Sequence, residues 1–188
     1  TPERVSIILP HSSPSTSFKN KNNMPQTKQR KIIVAGFRAV GKSAVTIQFA
    51  EDRFIDQYHP TIESCYQKTI QYKGITYNAN IVDTAGQDKH SIFQENHSIG
   101  VDGYILVFSV TDRKSFDMIS VINDKIINGT GNENIPRVIV ANKCDMEEKR
   151  KVSKDEYLKL AEDLKCPVIE CSARLNENID QIFKKLIE

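Results

Sequence analysis

Residues 36–43 have the composition of a phosphate-binding loop. Their sequence is GFRAVGKS, in which the second of two glycines is followed directly by a lysine and a serine. Glycine lets the backbone wrap around a polyphosphate with its N–H groups pointing inward. The Lys42 ammonium can neutralise the outer phosphates, and the Ser43 hydroxyl can bind Mg²⁺. The pattern therefore predicts a site for a nucleotide with a phosphate chain.

A second motif, Asn142 to Asp145, follows an apolar run and resembles the NKxD motif of GTPases, whose aspartate selects the base of the nucleotide. The Asp145 carboxylate can accept two hydrogen bonds from guanine, one from N1–H and one from the amino group. Adenine presents an acceptor at that ring nitrogen and no amino group, so it would leave the Asp145 charge unsatisfied. Unpaired polar groups of this kind give strong discrimination. The motif thus predicts guanine rather than adenine, and it weighs against an ATP-dependent phosphotransferase.

The elements that must position these motifs alternate along the chain. Hydrophobic patterning predicts a strand at 32–35, a helix at 41–51, and a hairpin with strands 64–72 and 75–83 joined by Lys73-Gly74. Strand–helix alternation predicts an α/β fold, with a six-stranded, mostly parallel sheet and helices on both faces. Ligands of such sheets bind at the carboxyl ends of the strands. The remaining predicted elements are strands 103–110, 137–142 and 167–172 and helices 113–127, 154–165 and 177–187, with Asp112 and Ser153 as N-caps.

Composition indicates one folded domain at 28–188, preceded by a tail at 1–27. The chain is 39% hydrophobic and 27% charged, and it contains no apolar run of the roughly 18–20 residues that a membrane span requires. Residues 1–31 carry six basic residues and one acidic residue, so we expect a disordered basic tail. Weak attraction to anionic lipid is the alternative reading. We find no basic run with aromatic partners in the sequence of the predicted domain, so we expect no nucleic-acid binding.

The four cysteines have no CxxC spacing and the four histidines are scattered, so we expect neither a zinc site nor a disulfide. Unpaired thiols favour an intracellular protein.

Five motifs in order resemble those of Ras-type small GTPases, which are P-loop NTPases with a Ras-like G domain. Besides the two motifs above, residues 83–87 resemble the DTAGQ element, residues 58–63 resemble switch I, and residues 172–174 resemble the SAK element. The resemblance covers about residues 24–188. Residues 24–28, Arg38 and residues 103–111 make it most like the Rheb branch.

The resemblance implies roles for individual residues. Ser43, Thr61 and Asp83 would hold Mg²⁺, Gly86 would give its N–H to the γ-phosphate, and Gln87 and Tyr58 would act in catalysis. From the chemistry of the reaction alone, we expect the Gln87 side chain to position the attacking water. Rheb-like proteins are instead thought to hold this glutamine away, with the tyrosine closing over the phosphates. The implied nucleotide-binding residues are Arg38, Ala39, Val40, Gly41, Lys42, Ser43, Ala44, Phe54, Ile55, Tyr58, Thr61, Gly86, Asn142, Lys143, Asp145, Ser172 and Ala173.

The implied function is a switch that binds GTP and GDP, hydrolyses GTP slowly and signals through loops 52–64 and 83–100, with Rheb-like regulation of growth signalling. A nucleotide-locked binding module with negligible hydrolysis is the alternative, because the Arg38 and Ala39 side chains can crowd the catalytic geometry. Effectors, a GTPase-activating protein and an exchange factor are the expected partners. Departures at His59, residues 64–66 and Lys89-His90 leave the identity of these partners open.

The expected location is the cytoplasm. Rheb-like proteins usually carry a prenylated C-terminus, and none is present up to Glu188. We therefore expect binding to the cytoplasmic face of membranes only if such a segment follows this sequence.

Overall fold

The computed structural model describes residues 27–57, 59–91 and 95–188, which are organised around a six-stranded sheet. The strands lie in the order β2-β3-β1-β4-β5-β6. Only β2 runs antiparallel to its neighbour, so the predicted mostly parallel α/β sheet is confirmed. The strands are β1 (Thr27–Gly36), β2 (Glu63–Tyr72), β3 (Ile75–Thr84), β4 (Gly103–Ser109), β5 (Arg137–Asn142) and β6 (Val168–Glu170).

Strand β1 is longer than the apolar stretch at 32–35 that predicted it. Its first five residues are polar and only partly covered, yet they pair with β3 in register from Thr27↔Thr76 onward. Backbone pairing therefore extends this strand beyond its buried part. The predicted hairpin turn is confirmed, since Lys73 and Gly74 both have positive φ, at 48° and 75°.

Four helices connect the strands, with short 3-10 helices at Glu95–His97 and Glu147–Lys149. The predicted cap at Asp112 is confirmed, because its carboxylate accepts a hydrogen bond of 3.1 Å from the Lys114 amide. Helix α2 runs three residues further than predicted and ends at Gly131, which adopts the left-handed conformation with φ 63°. The helices are α1 (Lys42–Glu51), α2 (Arg113–Thr130), α3 (Lys154–Asp163) and α4 (Ile179–Ile187).

Helices cover both faces of the sheet, as predicted. On one face α1 and α4 pack together through the stacked rings of Phe49 and Phe183, whose centroids are 3.6 Å apart. On the other face, the Phe108 ring of β4 contacts Phe116 of α2 and Tyr157 of α3. Strands β4 and β5 are buried along their whole length because helices lie above and below them.

The predicted tail at 1–27 lies almost entirely outside the described residues, so the division of the chain into tail and domain stays a prediction. Among the described residues, no helix has both the length and the apolar composition that crossing a membrane requires.

Candidate functional site

A cleft of about 500 Å³ opens at the edge of the sheet where β1, β3 and β5 end. Its walls come from the loop between β1 and α1, the segment between α1 and β2, and the residues that follow β3, β5 and β6. Most of the predicted site residues lie in these walls. They are Arg38, Ala39, Gly41, Lys42, Ser43, Ala44, Phe54, Ile55, Thr61, Asp83, Gly86, Asn142, Lys143, Asp145 and Ala173.

The loop between β1 and α1 needs its second glycine for a steric reason. Gly41 has φ 98°, and a Cβ atom there would lie 2.3 Å from Nδ2 of Asn142. The next residue, Lys42, is only 6% exposed, and its Nζ donates to the Phe37 carbonyl at 3.0 Å. Burial lowers the pKa of Lys42 to about 8, although Asp83 acts in the opposite direction. A buried ammonium of this kind is stabilised by an anion such as a phosphate.

The loop that follows β3 lies directly against the phosphate loop. A Cβ atom at Gly86 would come within 2.7 Å of the Arg38 Cα, so only glycine allows this approach. The backbone of the two loops is also joined, because the Gln87 amide donates to the Gly36 carbonyl at 2.9 Å. The residues after β3 are therefore placed beside the position that the pattern predicts for the phosphates.

Three oxygen-bearing side chains meet on one side of the cleft. Ser43 Oγ and Thr61 Oγ1 lie 2.9 Å apart. Asp83 is 1% exposed, and neither of its carboxylate oxygens accepts a hydrogen bond of normal geometry from the described residues. Burial raises the pKa of Asp83, while the Ser43 hydroxyl and the Lys42 ammonium act to lower it.

This donor set fits Mg²⁺, which binds through oxygen and keeps several water ligands. A cation would also satisfy the two orphaned Asp83 oxygens. Over the described ranges, no group of three or more His, Cys, Asp or Glu side chains could hold a metal ion. The candidate site combines one carboxylate with two hydroxyl groups.

Asn142 joins the phosphate loop to the far side of the cleft. Its Nδ2 donates to the Val40 carbonyl at 2.9 Å, and its Oδ1 accepts from the Ala173 amide at 3.2 Å. Lys143 adds a second link, since its Nζ donates to the Ala39 carbonyl at 2.8 Å. The two side chains fix the loop after β5 against the loop after β1.

Asp145 lines the same cleft with its carboxylate held in place. Its Oδ1 accepts a hydrogen bond of 2.7 Å from the Ser172 hydroxyl. Ser172 is fully buried and supports Asp145 from behind instead of lining the cleft. Val40, also buried, stands behind the wall in the same way and presents its carbonyl to Asn142.

Gln87 does not line the cleft. Its side chain is 8% exposed, and Nε2 donates to the Ala85 carbonyl at 3.3 Å. The side-chain Oε1 is buried and finds no hydrogen-bond partner within the described part of the chain. Tyr58, the other predicted catalytic residue, lies outside the described residues.

Several lining residues were not among the predicted site residues. Ile47 lies one helical turn after Ser43 and could have been found from that spacing. His59 and Arg174 belong to recognised motifs but had no contact assigned. The full set is Ile47, Asp56, Gln57, His59, Ser64, Tyr66, Met146 and Arg174.

Comparison with known proteins identifies the family. Residues 31–188 match the model of the Ras family. The chain belongs to the Ras family. Its relatives include several Rheb proteins. The GTP-binding protein Rheb homolog of Dictyostelium discoideum is 50% identical to this chain over 164 residues. The matched residues cover 87% of this chain and 89% of the relative. GTP-binding protein rhb1 of Schizosaccharomyces pombe and GTP-binding protein Rheb of Homo sapiens are each 46% identical over the same shares.

Ras-family small GTPases hydrolyse GTP, and this chain is accordingly a Rheb-like GTP-binding switch and a GTPase. The alternative of a nucleotide-locked binding module is not favoured. Ras-family proteins in general act together with effector and regulator proteins.

Proposed function

We propose that this Ras-family GTPase binds GTP and GDP with Mg²⁺ in the cleft and hydrolyses GTP slowly. One observation carries the proposal. A buried lysine, three converging oxygen-bearing side chains and an anchored carboxylate line one cleft of about 500 Å³. Lys42 would neutralise the phosphates, and Asp145 would read the guanine edge.

Ser43, Thr61 and Asp83 would hold the metal, which when bound neutralises charge on the β- and γ-phosphate oxygens. The protein supplies the rest of the site. The Gly86 amide would donate to a terminal phosphate, and the close packing of the Gly86 backbone on that of Arg38 supports this role. Thr61 belongs to the segment between α1 and β2, and its hydroxyl contacts that of Ser43. The conformation of this segment would therefore depend on whether the metal and the γ-phosphate are bound.

The position of Gln87 supports a slow rate. A glutamine that orients the attacking water must reach into the cleft, whereas this side chain is buried and donates to the Ala85 carbonyl. Without that help the reaction depends on charge neutralisation by Lys42 and the metal site. A GTPase-activating protein that brings its own polar side chain would then be needed for timely hydrolysis.

We further propose that effectors read loops 52–64 and 83–100 and that an exchange factor reloads the site. The output would be Rheb-like regulation of growth signalling. A cytoplasmic location is consistent with the four free cysteines.

Two measurements test the function. Nucleotide extracted from the purified protein should be GDP or GTP, and ATP in its place would contradict the base assignment. Single-turnover hydrolysis of bound GTP with Mg²⁺ should proceed below the roughly 10⁻⁴ s⁻¹ of an unaided Ras-type enzyme. Complete absence of hydrolysis over days would instead favour the nucleotide-locked module.

A further inference from the structure

Residues 88–91 form a compact turn directly after Gln87. The Asp88 Oδ1 atom accepts hydrogen bonds from the His90 amide at 2.9 Å and from the Ser91 amide at 2.8 Å. In return, the Asp88 amide donates to the Ser91 hydroxyl at 2.9 Å. Local bonds of this kind from side chains to the backbone are typical of aspartate and serine in turns. The 88–91 turn is therefore one structural unit, and its position determines where the main chain of Gln87 leads.

Lys125 of α2 fastens this turn to the helix. Its Nζ donates to the Asp88 carbonyl and to the Ser91 carbonyl, each at 2.7 Å. Hydrogen bonds from a charged donor are stronger than those between neutral groups. Within the parts of the chain that the structure describes, no other hydrogen bond joins residues 88–91 to another element. Because both acceptors are main-chain carbonyls, the contact fixes the course of the backbone whatever side chains the turn carries.

Gln87 does not hold itself in its buried position. Its Oε1 atom is buried and finds no hydrogen-bond partner among the described residues, and its Nε2 donates to the Ala85 carbonyl at 3.3 Å. A buried oxygen without a partner costs free energy, whereas water in the cleft would satisfy it. The side chain would thus gain hydrogen bonds by leaving this position. A restraint outside the side chain must therefore retain it.

The main chain on either side of Gln87 supplies that restraint. On the N-terminal side, the Gln87 amide donates to the Gly36 carbonyl at 2.9 Å. On the C-terminal side, the Asp88 carbonyl is held by Lys125. A side chain can adopt only those staggered rotamers that its backbone allows. With its backbone fixed at both ends, Gln87 stays turned away from the cleft.

We propose that Lys125 is a positioning residue for GTP hydrolysis, which fastens the 88–91 turn to α2 and thereby keeps the Gln87 side chain out of the cleft. Lys125 does not line the cleft, so it acts only through the turn. Loss of its ammonium would free the turn and allow Gln87 to reach the attacking water. The inference rests on the proposed slow hydrolysis and deepens it, because it names the group that retains the glutamine.

The test uses the full chain and two measurements. Trypsin cleavage after Lys89, followed by mass spectrometry on the GDP-loaded protein, reports how often the turn leaves α2. Single-turnover hydrolysis of bound GTP with Mg²⁺ reports the reaction. In Lys125→Met, which retains most of the hydrocarbon stem, we expect cleavage after Lys89 to be at least about fivefold faster. The hydrolysis rate should rise at least about threefold.

Two further variants serve as controls. Lys125→Arg can still donate to both carbonyls, so it should stay close to the wild type in both measurements. Lys159→Met removes an exposed charge from another helix, α3, and should change neither measurement. Retained GDP binding certifies that each variant is folded.

A double variant separates positioning from a general loss of stability. Because the gain in rate requires the glutamine, Lys125→Met combined with Gln87→Leu should hydrolyse GTP at the rate of Gln87→Leu alone. A gain in rate that survives Gln87→Leu would overturn the proposal. Unchanged cleavage after Lys89 in Lys125→Met would overturn it as well. Faster cleavage with an unchanged rate would support the fastening of the turn by Lys125 and would instead contradict the proposed cause of slow hydrolysis.

Discussion

The Oε2 atom of Glu63 lies 2.6 Å from Nε2 of His97. Glu63 begins β2, directly after the segment that carries Thr61, and His97 ends the 3-10 helix Glu95–His97. His97 is buried, whereas about a third of the Glu63 side chain is exposed. The contact joins the ends of the two loop regions that the family uses as switches.

We therefore expect Glu63→Gln and His97→Gln each to lower the free energy of unfolding by about 1–3 kcal/mol, because each leaves a polar group with a poorer partner. A double-mutant cycle should give a coupling of at least about 0.5 kcal/mol. The exposed pair of Glu51 with Arg53 serves as the control, and its coupling should be small. Additive effects at Glu63 and His97 would remove the proposed link.

Base recognition is tested at Asp145. Asp145→Asn should weaken GTP binding and improve binding of xanthosine triphosphate, because an amide can donate to the extra carbonyl of xanthine. A loss of two hydrogen bonds to a charged group corresponds to at least about tenfold in GTP affinity. Dissociation constants for both nucleotides provide the measurement, with Asp180→Asn on the exposed side of α4 as the control. Unchanged GTP affinity would exclude Asp145 from the base site.

Metal binding is tested at Ser43. Chelation of Mg²⁺ should speed GDP release, and Ser43→Asn should reduce affinity for GTP more than for GDP. The reason is that Thr61, 2.9 Å from Ser43, is expected to join the metal site only when the γ-phosphate is present. Ser153→Asn retains a good helix cap at a residue that does not line the cleft, and it should behave as wild type. A rate of GDP release that does not change on chelation of Mg²⁺ would contradict the metal assignment.

Hydrolysis is tested at Gln87 and Tyr58. Because Gln87 is buried away from the cleft, Gln87→Leu should change the single-turnover rate by less than about threefold, or about 0.7 kcal/mol in the barrier. From the Rheb resemblance, Tyr58→Ala should raise the rate. A large loss in Gln87→Leu with no gain in Tyr58→Ala would restore the ordinary Ras mechanism, in which glutamine orients the water.

Acid stability is tested at Glu156. Hydrogen bonds from Arg113 and from the Ser153 amide and hydroxyl lower the pKa of Glu156 from 4.5 to about 2. The folded state thus binds fewer protons than the unfolded state in this window. The resulting stability is complete above pH 4.5 and is lost as the pH falls towards 2. In Glu156→Gln this part of the acid transition should disappear, as followed by circular dichroism. An unchanged pH profile would contradict the role of Glu156.

The sequence predicted the sheet, its mostly parallel pairing and most of the cleft, because the buried parts of the strands are apolar runs and the motifs stand where strands end. It missed features set by tertiary pairing. The polar residues 27–31 belong to β1 only through their pairing with β3. Helix α4 begins two residues later than predicted, since Glu177 bridges Ser172 and Asn178 is left-handed with φ 60°.

The environment of individual side chains could not be predicted from the sequence either. The residue type of Gln87 is compatible with a side chain that faces the attacking water and with one that is held away from it. Only the packing around the side chain distinguishes the two positions. Arg137 was assigned to a strand without any role. Its burial depends on segments that are distant in sequence, and no local pattern reports it.

The two-sided bonding of Asn142 has a consequence for how the nucleotide is held. Its side-chain amide joins the loop between β1 and α1 to the segment after β6 by one hydrogen bond to each. If the phosphates bind to the first loop as proposed, the base would be presented to Asp145 at a high effective concentration, and the reverse would also hold. We therefore expect a whole guanine nucleotide to bind with an avidity that neither guanosine nor pyrophosphate can reach alone.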